Sequence, residues 1–179
     1  MAFRIALLRA VNVAGRNLVA MSALREMLDD LGFENGRTLL QSGNLVFESA
    51  ASPASLEVTL ERELQKRFGL RTDVMVRTLP ELHAAVAAHP FPQEARADPG
   101  HLLLLLLKDA PAKQAVVALR AAIAGRERVE VAGRHAYVVY PDGIGRSKLT
   151  SAVLERYLGT SVTGRNWNTV LKLLAAAAE

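Results

Sequence analysis

The chain has 179 residues, half of them apolar, enough to build a core for one domain or two small ones. It has no cysteine, which excludes a disulfide framework, a thiol nucleophile and a cysteine-bound metal. The net charge of +4 and pI near 9.8 come mostly from arginines spread along the chain, among them Arg16, Arg37, Arg77, Arg126 and Arg165, whereas a dedicated nucleic-acid binder gathers its charge in one patch or run.

The amino terminus, MAFRIALLRAVN, sets arginines inside what would have to be an uninterrupted apolar segment and lacks a small-residue cleavage signal, so it reads as mature from Met1. The longest apolar run, Leu102 to Leu107, falls far short of the ~20 residues of a spanning helix. A cytoplasmic protein with no membrane partner is the expectation.

In chain order, an apolar strand around Ile5–Leu8 breaks into a polar loop carrying Arg9, Asn12, Arg16 and Asn17. Met21, Leu24, Met27, Leu28 and Leu31 then recur at helical spacing and Gly32 follows as a stop, predicting a first helix over Met21–Leu31. RTLLQSGNLVFES reads as two strands, Thr38–Gln41 and Leu45–Glu48, joined by a Ser-Gly-Asn turn. Ser52 and Pro53 open a second helix whose stripe is Leu56, Leu60, Leu64 and Phe68, ending at Gly69. DVMVR, residues 73–77, predicts a strand, and Thr78 with Glu81 has capping-box spacing before a helix over Pro80–Ala88.

HPFPQEARADPG, residues 89–100, is proline-rich and aperiodic and is expected to hold neither helix nor strand. It marks the expected boundary, with a first half at 1–90, a linker at 91–100 and a second half at 101–179. In the second half, His101–Leu107 reads as a buried strand, and a helix runs from Pro111 to Gly125. Arg128–Val131 and His135–Tyr140 form a hairpin, Ser147 opens a helix that stops at Gly159, and Asn166–Ala178 is a last helix with no closing strand. Helix ends at Gly32, Gly69, Gly125 and Gly159 anchor these boundaries.

The element order is β-α-β-β-α-β up to Arg77 and β-α-β-β-α with an extra helix from His101, so the expected class is α+β with two ferredoxin-like, split βαβ halves. A single mixed sheet fits the same order. In the split βαβ arrangement, strands one and two are parallel with strand three between them. The loop after strand one and the hairpin after strand two then emerge at one end of the sheet. Arg9, Asn12, Arg16, Asn17, Gln41, Ser42 and Asn44 form the resulting polar rim, a donor set suited to an anion and above all to phosphate. Turn chemistry alone also accounts for Gly43 and Asn44.

LLRAVNVAGRN, the methionine-led helix, RTLLQSGNLVFES, PDGIGRSKL and TGRNWNTVLKL together resemble the signature blocks of a bacterial family, domain of unknown function 1697. The resemblance covers nearly the whole chain and implies a duplicated ferredoxin-like architecture without an established activity. The chain departs from the family pattern at Ala10 and Ala14, where glycine is usual, and at Leu39, where tyrosine is usual. Glycines there would let a ligand approach the backbone, and the alanines bear on that approach.

Two carboxyl-terminal motifs add candidates. PDGIGRSK sets two glycines before Ser147 and Lys148, either as an anion-binding nest or as a tight turn with a capping serine. Its residue order and glycine spacing are not those of a Walker A loop. TGRNWNTV crowds Arg165, Asn166 and Asn168 around the only tryptophan, Trp167, which reads as an anchor for the last helix, while its neighbours either cap that helix or face a ligand. The four histidines, His83, His89, His101 and His135, lack metal spacing, and no cofactor motif is found. Glu57, Glu61 and Glu63 read as the outer face of a helix, so no acid–base pair joins the rim. Ser42 has no matched histidine and acid that would make it a nucleophile.

The leading expectation is a binding module for a phosphate-bearing small molecule or nucleotide, using the rim with help from Ser147, Lys148 and Arg165. A nucleic-acid binder using exposed sheet aromatics, Phe3 or Phe47, is a second reading, and an enzyme on a phosphorylated substrate a third, with no residue assigned to catalysis. The sequence leaves the oligomeric state open.

Overall fold

The computed structural model describes all 179 residues, Met1–Glu179. They divide into two compact units, one comprising Met1–Ala84 with Lys172–Glu179 and the other Ala85–Leu171. Unit one contains β1 (Ala2–Leu8), α1 (Met21–Asp30), β2 (Glu34–Leu39), β3 (Asn44–Ser49), α2 (Pro53–Phe68) and β4 (Val74–Thr78), and the unit boundary falls within α3 (Leu79–Ala87). Its sheet has the order β2-β3-β1-β4 with every neighbouring pair antiparallel. Since β1 and β2 both run against β3, they are parallel to each other, as a right-handed split βαβ crossover requires.

Unit two repeats the scheme. After α4 (Pro92–Ala97) come β5 (Leu102–Leu107), α5 (Lys113–Ala122), β6 (Arg128–Ala132), β7 (His135–Val139), α6 (Ser151–Leu158) and β8 (Val162–Asn166), and the second unit boundary falls within α7 (Trp167–Ala176). The sheet order is β6-β7-β5-β8, again antiparallel throughout. The fold is therefore α+β with a repeated split βαβ arrangement.

Alternation along the strands sorts the cores. Ala6, Leu8, Leu45, Phe47, Val74 and Val76 pack with Leu24, Met27 and Leu28 of α1 and Leu56, Leu60 and Leu64 of α2. Unit two does the same with Leu103, Leu105 and Leu107 against Leu119 of α5 and Leu154 and Leu158 of α6. The alternate residues, Ile5, Val46 and Met75 in one sheet and Leu102, Leu104 and Leu106 in the other, are buried as well. Both faces of each central strand are thus out of water, which is why β5 can be six consecutive leucines.

The repeat extends to single positions. Ile5 pairs with Arg77 on β4, and Leu104 pairs with Arg165 on β8, so the same place on each edge strand holds a buried arginine. Ser52 and Thr150 cap α2 and α6 by accepting from Ser55 N and Val153 N, both at 3.3 Å. Each cap is followed four and five residues later by Leu-Glu, Leu56-Glu57 and Leu154-Glu155. The Glu57 carboxylate accepts from Val76 N at 2.9 Å and stands 3.8 Å from Arg77.

The structure corrects several expectations. A strand, β8, does close unit two; Gly164 and Arg165 break its apolar pattern, and only pairing with β5 reveals it. Residues 92–97 form the short helix α4, begun by Pro92 at its first position, where a missing N–H costs nothing. Ser147 does not open α6; it follows a 3-10 turn at Ile144–Arg146, and Thr150 supplies the cap. Helix α5 ends at Ala122 with an extended Ile123, not at Gly125. Strand β2 starts earlier, at Glu34, because a register shift between Glu34 and Arg37 admits the polar Asn35-Gly36 pair. Glu57 and Glu63 are buried, not on an outer face, with Glu57 satisfied by β4 and Glu63 by Arg67 at 3.0 Å. Trp167 is the expected anchor, 4% exposed and tilted against His89 at 4.7 Å between ring centroids.

Tyr140 follows β7 and is fully buried, its hydroxyl donating to Leu149 O at 2.9 Å. Burial, reinforced by the charge of Glu127, pushes that hydroxyl up to about 12. An unfolded tyrosine ionises near ~10, so the folded chain keeps a proton that the unfolded chain gives up. The stabilisation is complete below about pH 10 and is lost as pH rises toward the folded value. Tyr140→Phe is expected to lessen this alkaline loss while costing about 1 kcal/mol at neutral pH for the missing hydrogen bond. Urea unfolding at neutral and strongly alkaline pH measures both.

Candidate functional site

Strand β1 has a neighbour on each side, and its end is where the polar loops gather. On one side Leu8 N donates to Gly43 O at 2.9 Å, which holds the β2–β3 hairpin against the strand. On the other, Arg9 N donates to Asp73 O at 3.1 Å and Arg9 O accepts from the Thr72 hydroxyl. The loop after β1 and the hairpin after β2 do meet.

Asn12 is the joint between them. Its Nδ2 donates to Gln41 O at 2.7 Å and to Val19 O at 3.1 Å, its Oδ1 accepts from Val19 N at 2.8 Å, and its own N donates to Asn17 O at 3.0 Å. Asn17 Nδ2 reaches Ala10 O at 2.9 Å. Asn44, completely buried, donates to Leu39 O at 2.7 Å and Ser42 Oγ at 2.8 Å, closing the hairpin. The rim asparagines are therefore spent within the two turns, on backbone carbonyls and on Ser42 Oγ, and hold them in shape. Arg16 and Gln41 are exposed, while Arg9 and Ser42 are half-buried.

The loop backbone is unusual. Ala10, Asn12, Ala14 and Asn17 all have positive φ, between 49° and 53°, as has Gly15. Asparagine tolerates this region, helped here by its amide bonds, but alanine has no such compensation. Ala10 and Ala14 are both exposed, so a glycine at these places would relieve the backbone conformation and not a lack of space. Gly43 differs: at φ 78° an added Cβ would stand 2.5 Å from Val11 Cγ2 and 2.9 Å from Leu8 Cβ, so this turn needs both the conformation and the space.

Behind Arg9 lies a cavity of about 560 Å³, lined by Arg9, Val58, Glu61, Arg62, Gln65, Arg71, Thr72 and Asp73. Three elements build it: the end of β1, the middle of α2 and the segment leading into β4. Glu61 Oε1 accepts from Val74 N at 2.9 Å, fixing the helix to the strand. Arg62 stands 3.9 Å from Glu63, and Arg71 is exposed with no ion pair. Sequence reasoning found Arg9 and missed Arg62, Gln65, Arg71 and Thr72. The signal was available, since β4 runs antiparallel to β1 and its start must lie beside β1's end, while Arg62 and Gln65 share a helix face.

In unit two, Ser147 Oγ donates to Glu127 Oε1 at 2.5 Å and accepts from Leu149 N at 3.0 Å, so this serine closes a turn. Lys148 is exposed on a cavity of about 250 Å³ shared with Glu127, Asp142 and Arg146. Arg165 is 8% exposed and donates to Thr163 Oγ1 and Gly164 O, both at 2.8 Å; burial lowers its pKa to about 10. Asn166 Oδ1 accepts from Thr169 N at 3.0 Å and so caps α7, while Asn168 is exposed. Phe47 is buried and stacks on Phe33 with ring centroids 4.6 Å apart, leaving no stacking platform on β3. No group of histidine and carboxylate residues is placed to hold a metal ion, and no helix is long and apolar enough to cross a membrane.

Fold and site together define an α+β protein of repeated split βαβ units, with an arginine-lined cavity at the end of one sheet. The solved structure of conserved bacterial protein SP0830 from Streptococcus pneumoniae is similar over 98% of each chain, with a TM-score of 0.76 and 21% identity, a likeness of fold. The family model described as "Protein of unknown function (DUF1697)" matches residues 1–137, and the chain belongs to that family. No curated protein matches it.

Two outcomes follow for the loop. Ala10→Gly and Ala14→Gly should each raise stability by about 0.5 to 1 kcal/mol, the left-handed penalty relieved less the added chain entropy, seen as a melting shift of about 2 °C. Asn12→Ala should cost about 2 kcal/mol, because Val19 and Gln41 both lose partners; melting temperature and proteolysis of the loop report it.

Proposed function

We propose that this protein is a binding module for a phosphate-bearing small molecule or nucleotide, taken up in the unit-one cavity at Arg9. The observation that carries the reading is the convergence of Arg9, Arg62 and Arg71, from three separate elements, on one cavity with Gln65 and Thr72. Guanidinium groups present flat donor forks that match phosphate oxygens two at a time. The volume, about 560 Å³, falls within the range of small-molecule sites. Glu61 and Asp73 on the same lining favour a ligand that also offers a hydrogen-bond donor, such as a sugar hydroxyl or a base amine, over bare phosphate.

The supports of this cavity are rigid. Thr72 and Asp73 are tied to Arg9 through its backbone, and Glu61 ties α2 to β4, so the cationic side chains project from a fixed frame. The rim asparagines hold the neighbouring turns, whereas Arg9 contributes its charge. No residue is assigned to bond-making chemistry.

Thermal shift and calorimetry with pyrophosphate and with nucleoside mono-, di- and triphosphates test the reading. Binding of at least one is expected, weakening as salt is raised. Arg71→Ala and Arg62→Ala, both exposed, should each reduce affinity about tenfold, the scale of a charged hydrogen bond of roughly 1.5 kcal/mol, with little change in melting temperature. Absence of binding across the series, or full affinity in the double variant, would overturn it.

A further inference from the structure

The two turns that meet at Asn12 carry a second feature, separate from the cavity. Leu18 is 71% exposed, Val13 57% and Leu40 51%, three of the eight exposed large apolar residues in the chain. They are grouped by the hydrogen bonds of one residue. Val13 follows Asn12; Leu18 lies between Asn17 and Val19, both bonded to Asn12; Leu40 precedes Gln41, whose carbonyl accepts from the Asn12 amide. Single exposed leucines are ordinary on protein surfaces, but here three aliphatic side chains stand exposed on two turns that one residue ties together.

The charge of these segments is one-sided. From Ile5 to Arg25 and from Asn35 to Phe47 there is no aspartate or glutamate, while Arg9, Arg16, Arg25 and Arg37 all occur. Arg37 is paired with Glu179 at 2.9 Å, but Arg16, standing between Val13 and Leu18 in the chain, is exposed and makes no ion pair. Two turns that expose aliphatic side chains and an unpaired arginine, on segments with no carboxylate of their own, suit a protein partner that supplies the opposite charge. Its backbone is already fixed by Asn12, Asn17 and Asn44, so little ordering is needed on association.

We propose that the patch of Val13, Leu18 and Leu40, with Arg16, docks an acidic amphipathic peptide segment of a partner protein, one that places aliphatic or aromatic side chains between aspartates or glutamates. Nucleic acid would leave the three aliphatic side chains facing a charged backbone. A lipid surface would gain only three modest side chains and a few arginines, where stable anchoring takes a longer acyl chain or a polybasic cluster.

The test is selection of a displayed library of random twelve-residue peptides on the full-length protein, followed by fluorescence anisotropy with the synthesised winners. Enriched sequences should combine acidic with aliphatic or aromatic residues and bind in the micromolar range. Leu18→Ser with Leu40→Ser should weaken them at least tenfold while the melting temperature and any response to phosphate compounds stay as in the parent, and Arg16→Glu should weaken them comparably. Failure of the phosphate reading would show as lost sensitivity to Arg71→Ala, which leaves this patch untouched. No enrichment, basic winners, or winners indifferent to the Leu18/Leu40 double variant would overturn the docking proposal. So would cosedimentation with phosphatidylglycerol vesicles, or a shift with single-stranded oligonucleotide, that depended on Leu18 when peptides did not bind.

Discussion

Hydrogen bonding on both sides of β1 is the constraint from which the rest of unit one follows. Because β3 and β4 both run against it, the strand's end is flanked by the hairpin entering β3 and by the segment entering β4. The first neighbour receives Leu8 N at Gly43 O, and the second receives Arg9 N at Asp73 O. Two different surfaces therefore open from two consecutive residues. One carries the exposed Val13, Leu18 and Leu40 on the turns joined at Asn12, and the other is the arginine-lined cavity at Arg9.

The same constraint sets the limits on what those surfaces can do. With both faces of the central strands buried, the sheets offer no open platform for stacking bases, and polar function is confined to the ends of strands. At those ends a polar side chain has two uses, and geometry decides between them. Asparagine is short enough to reach carbonyls one turn away, so Asn12, Asn17 and Asn44 satisfy backbone groups that the tight loops leave unpaired. Arginine is long, and Arg16, Arg62 and Arg71 extend past the local backbone to solvent.

Repetition of the split βαβ scheme was legible as element order, but its depth was not. Arg77 and Arg165 sit at matching places because Ile5 and Leu104 do, and that correspondence exists only once strand registers are known. Read along the chain, VRTLPEL and GRNWNTV share little beyond the arginine. The departures at Ala10 and Ala14 acquired their meaning in the same way. As letters they suggested a blocked approach to the backbone, whereas their φ values show residues held in a conformation glycine would adopt with less strain.

What the sequence determined by itself were the features whose causes lie within a few residues: the amphipathic stripes of α1 and α2, the Ser52 cap with Gly69 as stop, and the Thr78–Glu81 capping box. Periodicity and capping act over one helical turn, so they can be read locally. Tertiary structure alone decided that Glu57 points inward to Val76 N, that the polar run VTGRN is a strand, and that Asn12 spends its amide on a carbonyl 29 residues away. Each of these depends on a hydrogen-bonding partner brought close by strand pairing, and no window of sequence contains both members of such a pair.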